Sequence, residues 1–518
     1  MRLDVAFRVD AGIAIGTGHV MRCLTLADAL RAQGARIRFV CRDMPGHMEA
    51  RITERGYAAT LLPPASGSAP PEPDPPPHAA WCLVSQDEDA AQTRKALSGR
   101  RPDWLVVDHY ALDARWERAV SDASPRVMAL DDLADRPHAV RLLLDQTLGR
   151  DACDYAKLAP HAEVLAGVRY ALLRPDFASA RPAARARRDA KDYSLRRMLI
   201  FMGGTDAWGV TAQALDALPS WPDLEVTVVM GGAAPTLDAV RARVTARVAA
   251  GGPTRLLIDT PNMTTEMAAA DLAIGAGGTT SWERCVVGLP TLLVIVADNQ
   301  APSAYALAQA GAATVLGKAW VGLEADTSWT DILHARLTEF RADPPSLRAM
   351  AEAATAVCDG QGTVRVLRRL MAATVSLRAA TIADSHAVWE WRHASNAAHF
   401  YHDGATPLPD HNAWFAQALR DPTRTLLIAE RDGVPLGHLR LDRSENGEEA
   451  ITVSIVMAPP SRGQGMARAV LEAGLAYADA PRAYARVHAA NYASIRLFEG
   501  TGFQRAGAVD GFVDYVRL

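Results

Sequence analysis

RVDAGIAIGTGHVMRCLTLADAL, residues Arg8 to Leu30, decides how the front of the chain is read. An apolar run ends at Asp10. Gly12, Gly16 and Gly18 then form a flexible turn. His19 opens a segment whose apolar positions Val20, Leu24, Ala27 and Leu30 recur at helical spacing. Strand, glycine turn and helix in that order predict the first unit of a parallel sheet covered by helices. Free amides at a helix start suit a phosphate. The positive end of the helix dipole there favours neutral imidazole, the form that accepts a proton. A phosphate bound at the same place acts in the opposite sense, and a helix-capping histidine in a packed turn fits the same residues.

Outward from this stretch, apolar runs predict strands at Leu3–Val9, Arg36–Cys41, Trp104–Asp108, Arg126–Leu130 and Arg141–Asp145, with a helix over Val20–Ala32. Pro63–Pro77 is too rich in proline to supply ladder donors and reads as an exposed loop without an assigned role. From Arg181 to Arg197 there are seven basic residues against two acidic ones, with no apolar stripe; residues 178–197 therefore read as a linker between residues 1–177 and 198–372. An anionic-partner patch is the other reading of that charge. A second run of strands follows in MLIFMGG, LEVTVVMGG, TRLLIDT, DLAIGAGG and TLLVIVADNQ. Several end in Gly, Thr or Asn, where ligands sit on open parallel sheets. Leu347–Met371 reads as a closing helix interrupted at Gly360 and Gly362. Residues 375–518 change pattern to mixed strands and helices, a further domain.

Composition bounds the classes. A length of 518 residues predicts about three domains. Hydrophobic residues at 49% and charged residues at 22% describe an ordinary globular chain, and a net charge of -4 weighs against a nucleic-acid binder. No apolar run approaches the roughly 18–20 residues that span a bilayer, and the start lacks a signal-peptide pattern, so membrane insertion is not expected and a cytoplasmic location is. Six scattered cysteines without C-x-x-C make a disulfide framework or structural zinc unexpected.

Motifs at the strand ends carry the chemistry. MGGTD places Gly203, Gly204 and Thr205 after a strand, where loop amides suit a diphosphate. In IGAGGTTSWERC, Gly278, Thr279 and Thr280 precede a helix, and Glu283 falls in its first turn. A carboxylate there can accept both ribose hydroxyls; dipole compensation is the alternative. ADNQ offers Asn299 and Gln300, and DHY offers Asp108 and Tyr110. DDLADRPH (Asp131–His138) has the residue types of a divalent-metal site, but local charge pairing is the favoured reading.

GTGHVMRC, DHY, DDLADRPH, MGGTD, IGAGGTTSWERC and ADNQ, occurring in this order, resemble the UDP-sugar hydrolases of pseudaminic acid biosynthesis over roughly residues 1–370. The resemblance implies two Rossmann-like domains in the arrangement of MurG-type glycosyltransferases, with UDP bound mainly by the second. It implies that His19 activates water for attack on the anomeric carbon of UDP-2,4-diacetamido-2,4,6-trideoxy-β-L-altropyranose. Tyr110 and Asn299 would lie near the sugar, Glu283 on the ribose, and the Gly203–Thr205 and Gly278–Thr280 loops on the diphosphate. Asp10, Gly16, Gly18, Arg22, Gly204 and Gln300 complete the expected substrate contacts. No metal is expected.

The C-terminal domain carries a strand, Pro459-Pro460, Arg462-Gly463-Gln464-Gly465-Met466-Ala467 and an Ala-rich helix, then NYASIRLFEGTGF from Asn491. This R-x-x-G-x-A turn stacks amides at a helix start, as a pyrophosphate requires. The two segments resemble the GNAT N-acetyltransferases, an α+β fold that takes acetyl-CoA as co-substrate. The resemblance puts Val456 and Met457 beside the pantetheine arm and Asn491 at the cofactor. Phe498 stands where many members carry a tyrosine acid, so the acid is another group, such as Tyr492, or water; His488, Glu448 and His438 are candidate bases.

The combined reading is a bifunctional enzyme: the C-terminal domain acetylates the 4-amino group of a UDP-sugar, and the N-terminal region then removes UDP. A MurG-like glycosyltransferase and a non-catalytic sugar-nucleotide binding protein are the alternatives.

Overall fold

Runs such as DVAFRV and WLVVD are continuous rather than alternating because both faces of their strands are covered: every residue of β1 (Asp4–Val9) and β4 (Trp104–Asp108) is buried. The structure is a computed structural model that describes residues 3–65, 74–218, 221–319, 329–394, 406–443, 450–478 and 480–517. With β2 (Arg36–Arg42), β3 (Ala58–Leu62), β5 (Val127–Leu130), β6 (Leu142–Asp145) and β7 (Glu163–Ala166), these strands form a parallel sheet ordered β3-β2-β1-β4-β5-β6-β7. The order reverses between β1 and β4, so the loops after those two strands open a crevice at the sheet's C-terminal edge. The first carries the Gly16–Gly18 turn and the second the DHY segment.

A second parallel sheet repeats the plan. Its strands are β8 (Arg197–Phe201), β9 (Glu225–Met230), β10 (Thr254–Ile258), β11 (Leu272–Ala276), β12 (Thr291–Ile295) and β13 (Thr314–Lys318), ordered β10-β9-β8-β11-β12-β13. Its reversal lies between β8 and β11, which end in MGGTD and GAGGTT. Strands β3, β7 and β13 lie outside the sequence expectation. They are short edge strands, partly exposed, and lack the long apolar run that marks a central strand.

The stretch expected as a linker over 178–197 is instead largely helical. A helix spans Pro175–Asp189, with Phe177, Ala184 and Arg188 buried. Arg187 and Arg188 donate to the carbonyls of Met267, Ala268, Ala270, Val287 and Gly288, at the ends of helices Met263–Ala269 and Thr280–Val286. Arg187 and Arg188 thus satisfy helix C-termini, while Arg185, Lys191 and Arg196 stay exposed. The expected closing helix is two helices, Pro344–Val357 and Gly362–Ala372. The second returns to the first half: Thr363 Oγ1 donates to the Leu173 carbonyl and accepts from the Leu173 amide. A Cβ on Gly362 would lie 2.3 Å from the Ala171 carbonyl oxygen, so only glycine permits this approach.

The chain divides into two compact units. One holds both parallel sheets, over Asp4–Arg31 and Arg36–Val366; the other covers Leu367–Leu518 with short pieces of the N-terminal region. The boundary lies a few residues before the 372/375 break read from the sequence. The second unit has a mixed sheet of β14 (Ser376–Ala379), β15 (Arg424–Arg431), β16 (Val434–Arg443), β17 (Ala450–Met457), β18 (Arg482–His488), β19 (Gln504–Val509) and β20 (Phe512–Arg517), ordered β14-β15-β16-β17-β18-β20-β19. No described helix is long and apolar enough to cross a membrane.

Candidate active site

Helix Gly18–Ala32 starts directly after the glycine turn, so His19, Arg22 and Cys23 share one face at spacings of three and four residues. That face meets Asp108, the last residue of β4, the strand paired to β1 across the reversal. Asp108 accepts from His19 Nδ1 at 2.6 Å and from Arg22 Nε and Nη2 at 2.6 and 2.7 Å. Burial alone would raise the Asp108 carboxyl, but Arg22 and His19 outweigh it and hold the group well below the usual carboxylate range. An ionised Asp108 can only accept, so Nδ1 carries the ring proton and Nε2 is the basic nitrogen. Nε2 has no partner among the described residues, and the side chain is 10% exposed.

Two expected substrate contacts carry buried ion pairs. Arg22 is buried and bridges Asp108 and Asp132. The carboxylate of Asp10 is fully buried, bonded to both terminal nitrogens of Arg8 and to the Arg42 amide. Arg8 and Arg42 in turn share Asp89, so Asp10 belongs to an ion cluster beneath the turn. Gly16 has φ +81°, a conformation that glycine favours, while a Cβ at Gly18 would meet nothing within 4 Å.

Beside the imidazole stands an aromatic wall. Tyr110 meets His19 edge-on at 4.6 Å and donates its hydroxyl to Asp132. Burial, then Asp132, push that hydroxyl well above its ordinary pKa, so it stays protonated. Trp81 stacks on Tyr110 at 5.6 Å and lies 6.2 Å from His19; His78 lies 4.6 Å from Trp81. Trp81 and His78 went unread in the sequence because they follow the Pro-rich run. Of that run, residues 66–73 lie outside the described residues. The DDLADRPH acids are engaged locally: Asp131 with Arg136, Tyr155 and the 133 and 134 amides, Asp132 with Arg22 and Tyr110.

The loops of the second sheet converge on its own reversal. Gly203 has φ +90°, and a Cβ on Gly231 would lie 2.2 Å from the Gly204 carbonyl oxygen, so the β8 and β9 loops touch backbone to backbone. Across the cleft, a Cβ on Gly204 would lie 3.6 Å from the Thr17 hydroxyl oxygen, one residue before the helix that carries His19. The imidazole turn and the Gly203–Thr205 loop therefore border one space. Thr205 and Asn299 are exposed, and Gly278, Thr279 and Thr280 partly so. Gln300 Oε1 accepts from the Gly277 amide at 3.2 Å and the Val296 amide at 3.4 Å, so its carbonyl end braces the loop. Glu283 is partly buried with no hydrogen-bond or ion-pair partner among the described residues, and burial pushes its carboxyl up to about 7.

In the C-terminal unit, β17 and β18 pair in parallel only over Ala450–Thr452 and then separate. The backbone of Ser454–Met457 is left without a strand partner on that side, a slot for an extended polar chain. Gly463 and Gly465 follow with φ +70° and +72°, both exposed, ahead of helix Met466–Ala478. Alternating left-handed glycines turn successive amides to one side, the geometry of an anion nest.

Comparison with known proteins bears on the fold of both units. Residues 199–362 match the glycosyltransferase family 28 C-terminal domain, and residues 374–504 match the acetyltransferase (GNAT) domain. In fold, the chain is similar to MurG of Acinetobacter baumannii, with a TM-score of 0.50 and 16% identity over 71% of this chain and 99% of that one. The chain joins a MurG-like fold to a C-terminal GNAT domain. Its homologues include the spore coat polysaccharide biosynthesis protein SpsG of Bacillus subtilis, 27% identical over 368 residues, 70% of this chain and 96% of the relative. They also include the UDP-2,4-diacetamido-2,4,6-trideoxy-beta-L-altropyranose hydrolase of Campylobacter jejuni, 26% identical over 219 residues, 42% of this chain and 66% of the relative.

Inside the GNAT domain several expected contacts have local duties. Arg462 donates to the carbonyls of Met457, Trp391 and Ala394, tying the turn to the end of β17. Gln464 donates to the Pro460 carbonyl, and the Met466 and Val456 side chains are buried. Asn491 Oδ1 caps helix Tyr492–Gly500 by accepting from the Ser494 amide. Phe498 is buried between Phe503 and Tyr515. His438 is buried near Phe415, and burial, then Arg392 and Arg440, push it down to about 3. His488 packs edge-on against Phe512, Tyr492 is exposed, and Glu448 lies outside the described residues.

Proposed function

We propose that the MurG-like region hydrolyses a UDP-sugar with His19 as general base. The observation that carries this is the single space bordered by the His19 turn and the Gly203–Thr205 loop, with Nδ1 committed to Asp108 and Nε2 unpartnered. Water bonded to Nε2 gives up its proton to the ring as its oxygen attacks the anomeric carbon. The bond from that carbon to the diphosphate oxygen breaks, and its electron pair leaves with UDP. Amides of the Gly203–Thr205 and Gly278–Thr280 loops absorb the growing charge, and Asp108 balances the imidazolium. Glu283 holds the ribose hydroxyls, and the Trp81–Tyr110 wall with Asn299 borders the sugar.

The Campylobacter relative, named for this hydrolysis, supports the assignment of the substrate as the diacetamido-trideoxy-altrose nucleotide. The GNAT domain supplies the preceding step. The split between β17 and β18 holds the pantetheine arm of acetyl-CoA, the Gly463–Gly465 nest holds its pyrophosphate, and the acetyl group passes to the 4-amino group of the UDP-sugar. Fusion of the two domains is in keeping with consecutive steps, since the acetylated product is the hydrolase substrate.

The test is mass spectrometry of the products from the UDP-4-amino sugar. With acetyl-CoA, free CoA, UDP and the diacetamido sugar appear without any acceptor. An acetylated UDP-sugar that persists until an acceptor alcohol is added makes the region a glycosyltransferase instead. A nucleotide that binds but stays intact makes it a binding protein.

A further inference from the structure

Arg284 lies under the GAGGTT loop, 2% exposed, and no carboxylate among the described residues pairs with it. Nη2 donates to the Ala276 carbonyl at 2.7 Å and to Ser281 Oγ at 3.0 Å, Nη1 donates to Thr280 Oγ1 at 3.2 Å, and Nε has no partner. A Cβ on Gly275 would lie 2.4 Å from Nη1 and 3.2 Å from the Phe201 carbonyl oxygen. The guanidinium therefore sits where the C-terminal ends of β8 and β11 meet, at the sheet's reversal.

Other buried arginines in this unit are compensated differently. Arg8 and Arg42 share Asp89, and Arg188 is surrounded by four carbonyls at helix C-termini. Arg284 has one carbonyl and two hydroxyls. Burial pushes it down to about 10, as it does Arg188, and the neighbouring Glu283 opposes that shift without pairing with it.

We infer that Arg284 is the built-in countercharge for the diphosphate of the bound nucleotide, acting through the Thr280 hydroxyl rather than by touching the ligand. Thr280 Oγ1 accepts from the guanidinium, so its own proton is free to donate, and the donor is strengthened by the cation behind it. Thr280 is partly exposed, while Arg284 is sealed by Gly275, Ser281 and the strand ends. Arg284 is thus a positioning residue. The inference rests on the proposed reading of this cleft as a nucleotide site.

A role confined to loop shape and a role in charge make different predictions. The full chain is titrated calorimetrically with UDP, UMP and uridine. Arg284→Gln keeps hydrogen-bond donors and removes the charge. It should weaken UDP by about tenfold or more and uridine by less than about twofold, with the ligand-free melting temperature unchanged or raised. Arg284→Lys should restore most of the preference for UDP over uridine. Thr280→Val leaves the cation in place and should show the same selective loss as Arg284→Gln, which keeps the test available if that variant does not fold. Equal loss for UDP and uridine makes Arg284 a structural brace and overturns the inference, as does unchanged UDP affinity. Wild-type protein that binds none of the three overturns the nucleotide reading itself.

Discussion

At the scale of single residues, the chemistry rests on how Asp108 divides its two oxygens. One fixes the His19 tautomer and also accepts from Arg22 Nη2, the other accepts from Arg22 Nε, and Arg22 in turn grips Asp132. Asp108→Asn can present an amide donor to Nδ1, reverse the tautomer and leave Nε2 protonated. UDP release should fall by about a hundredfold or more with KM little changed, and the His19→Ala, Asp108→Asn double variant should be no slower than His19→Ala alone. Glu283 sets a pH dependence. Its carboxyl, pushed up to about 7 by burial, is neutral below that pH and an acceptor above it. KM for the UDP-sugar, whose diphosphate does not titrate here, should therefore fall between about pH 6 and pH 8, and Glu283→Gln should flatten the profile. Trp81→Ala should raise KM for the UDP-sugar by about tenfold while leaving UDP affinity unchanged, because the wall stands on the His19 side of the cleft.

At the scale of elements, the return helix Gly362–Ala372 shows how closely the two halves are bound. Gly362→Ala drives a methyl into the Tyr170–Ala171 backbone and should cost about 1–3 kcal/mol, read as a lower denaturation midpoint. The C-terminal sheet carries a pH signature of its own. His438 is held down to about 3, whereas an unfolded histidine titrates near 6.5. Its neutral form contributes fully above about pH 6.5, and that contribution is lost as pH falls toward 3. The C-terminal melting transition of the full chain should drop across that window, and His438→Leu should flatten the slope. Central strands such as DVAFRV were legible because burial on both faces leaves a continuous apolar run. AATLL, EVLA and TVLGK were not, because an edge strand buries too little to mark itself. The 178–197 stretch misled for a related reason: its helix docks through guanidiniums reaching helix-end carbonyls, which no hydrophobic pattern records.

At the scale of the whole molecule, two sheets of the same plan each present a strand-order reversal, and the proposed site draws on both. The glycine turns before His19 and in the MGGTD and GAGGTT loops were readable as strand ends, and the structure sets them at the two reversals. That Asp10 and Arg22 are buried partners of other charges was not legible, since sequence does not tell an ion cluster under a loop from a group above it. Trp81 and His78 join the site through tertiary packing alone. If the two domains act in succession, UDP release from the 4-amino nucleotide should begin only when acetyl-CoA is supplied, whereas the diacetamido nucleotide should react without it.

The most direct measurement is hydrolysis of that diacetamido nucleotide in H2 18O without an acceptor, with mass spectrometry of the UDP. Attack of His19-activated water on the anomeric carbon leaves every phosphate oxygen of UDP unlabelled. Incorporation of 18O into UDP, or no release of UDP, contradicts it.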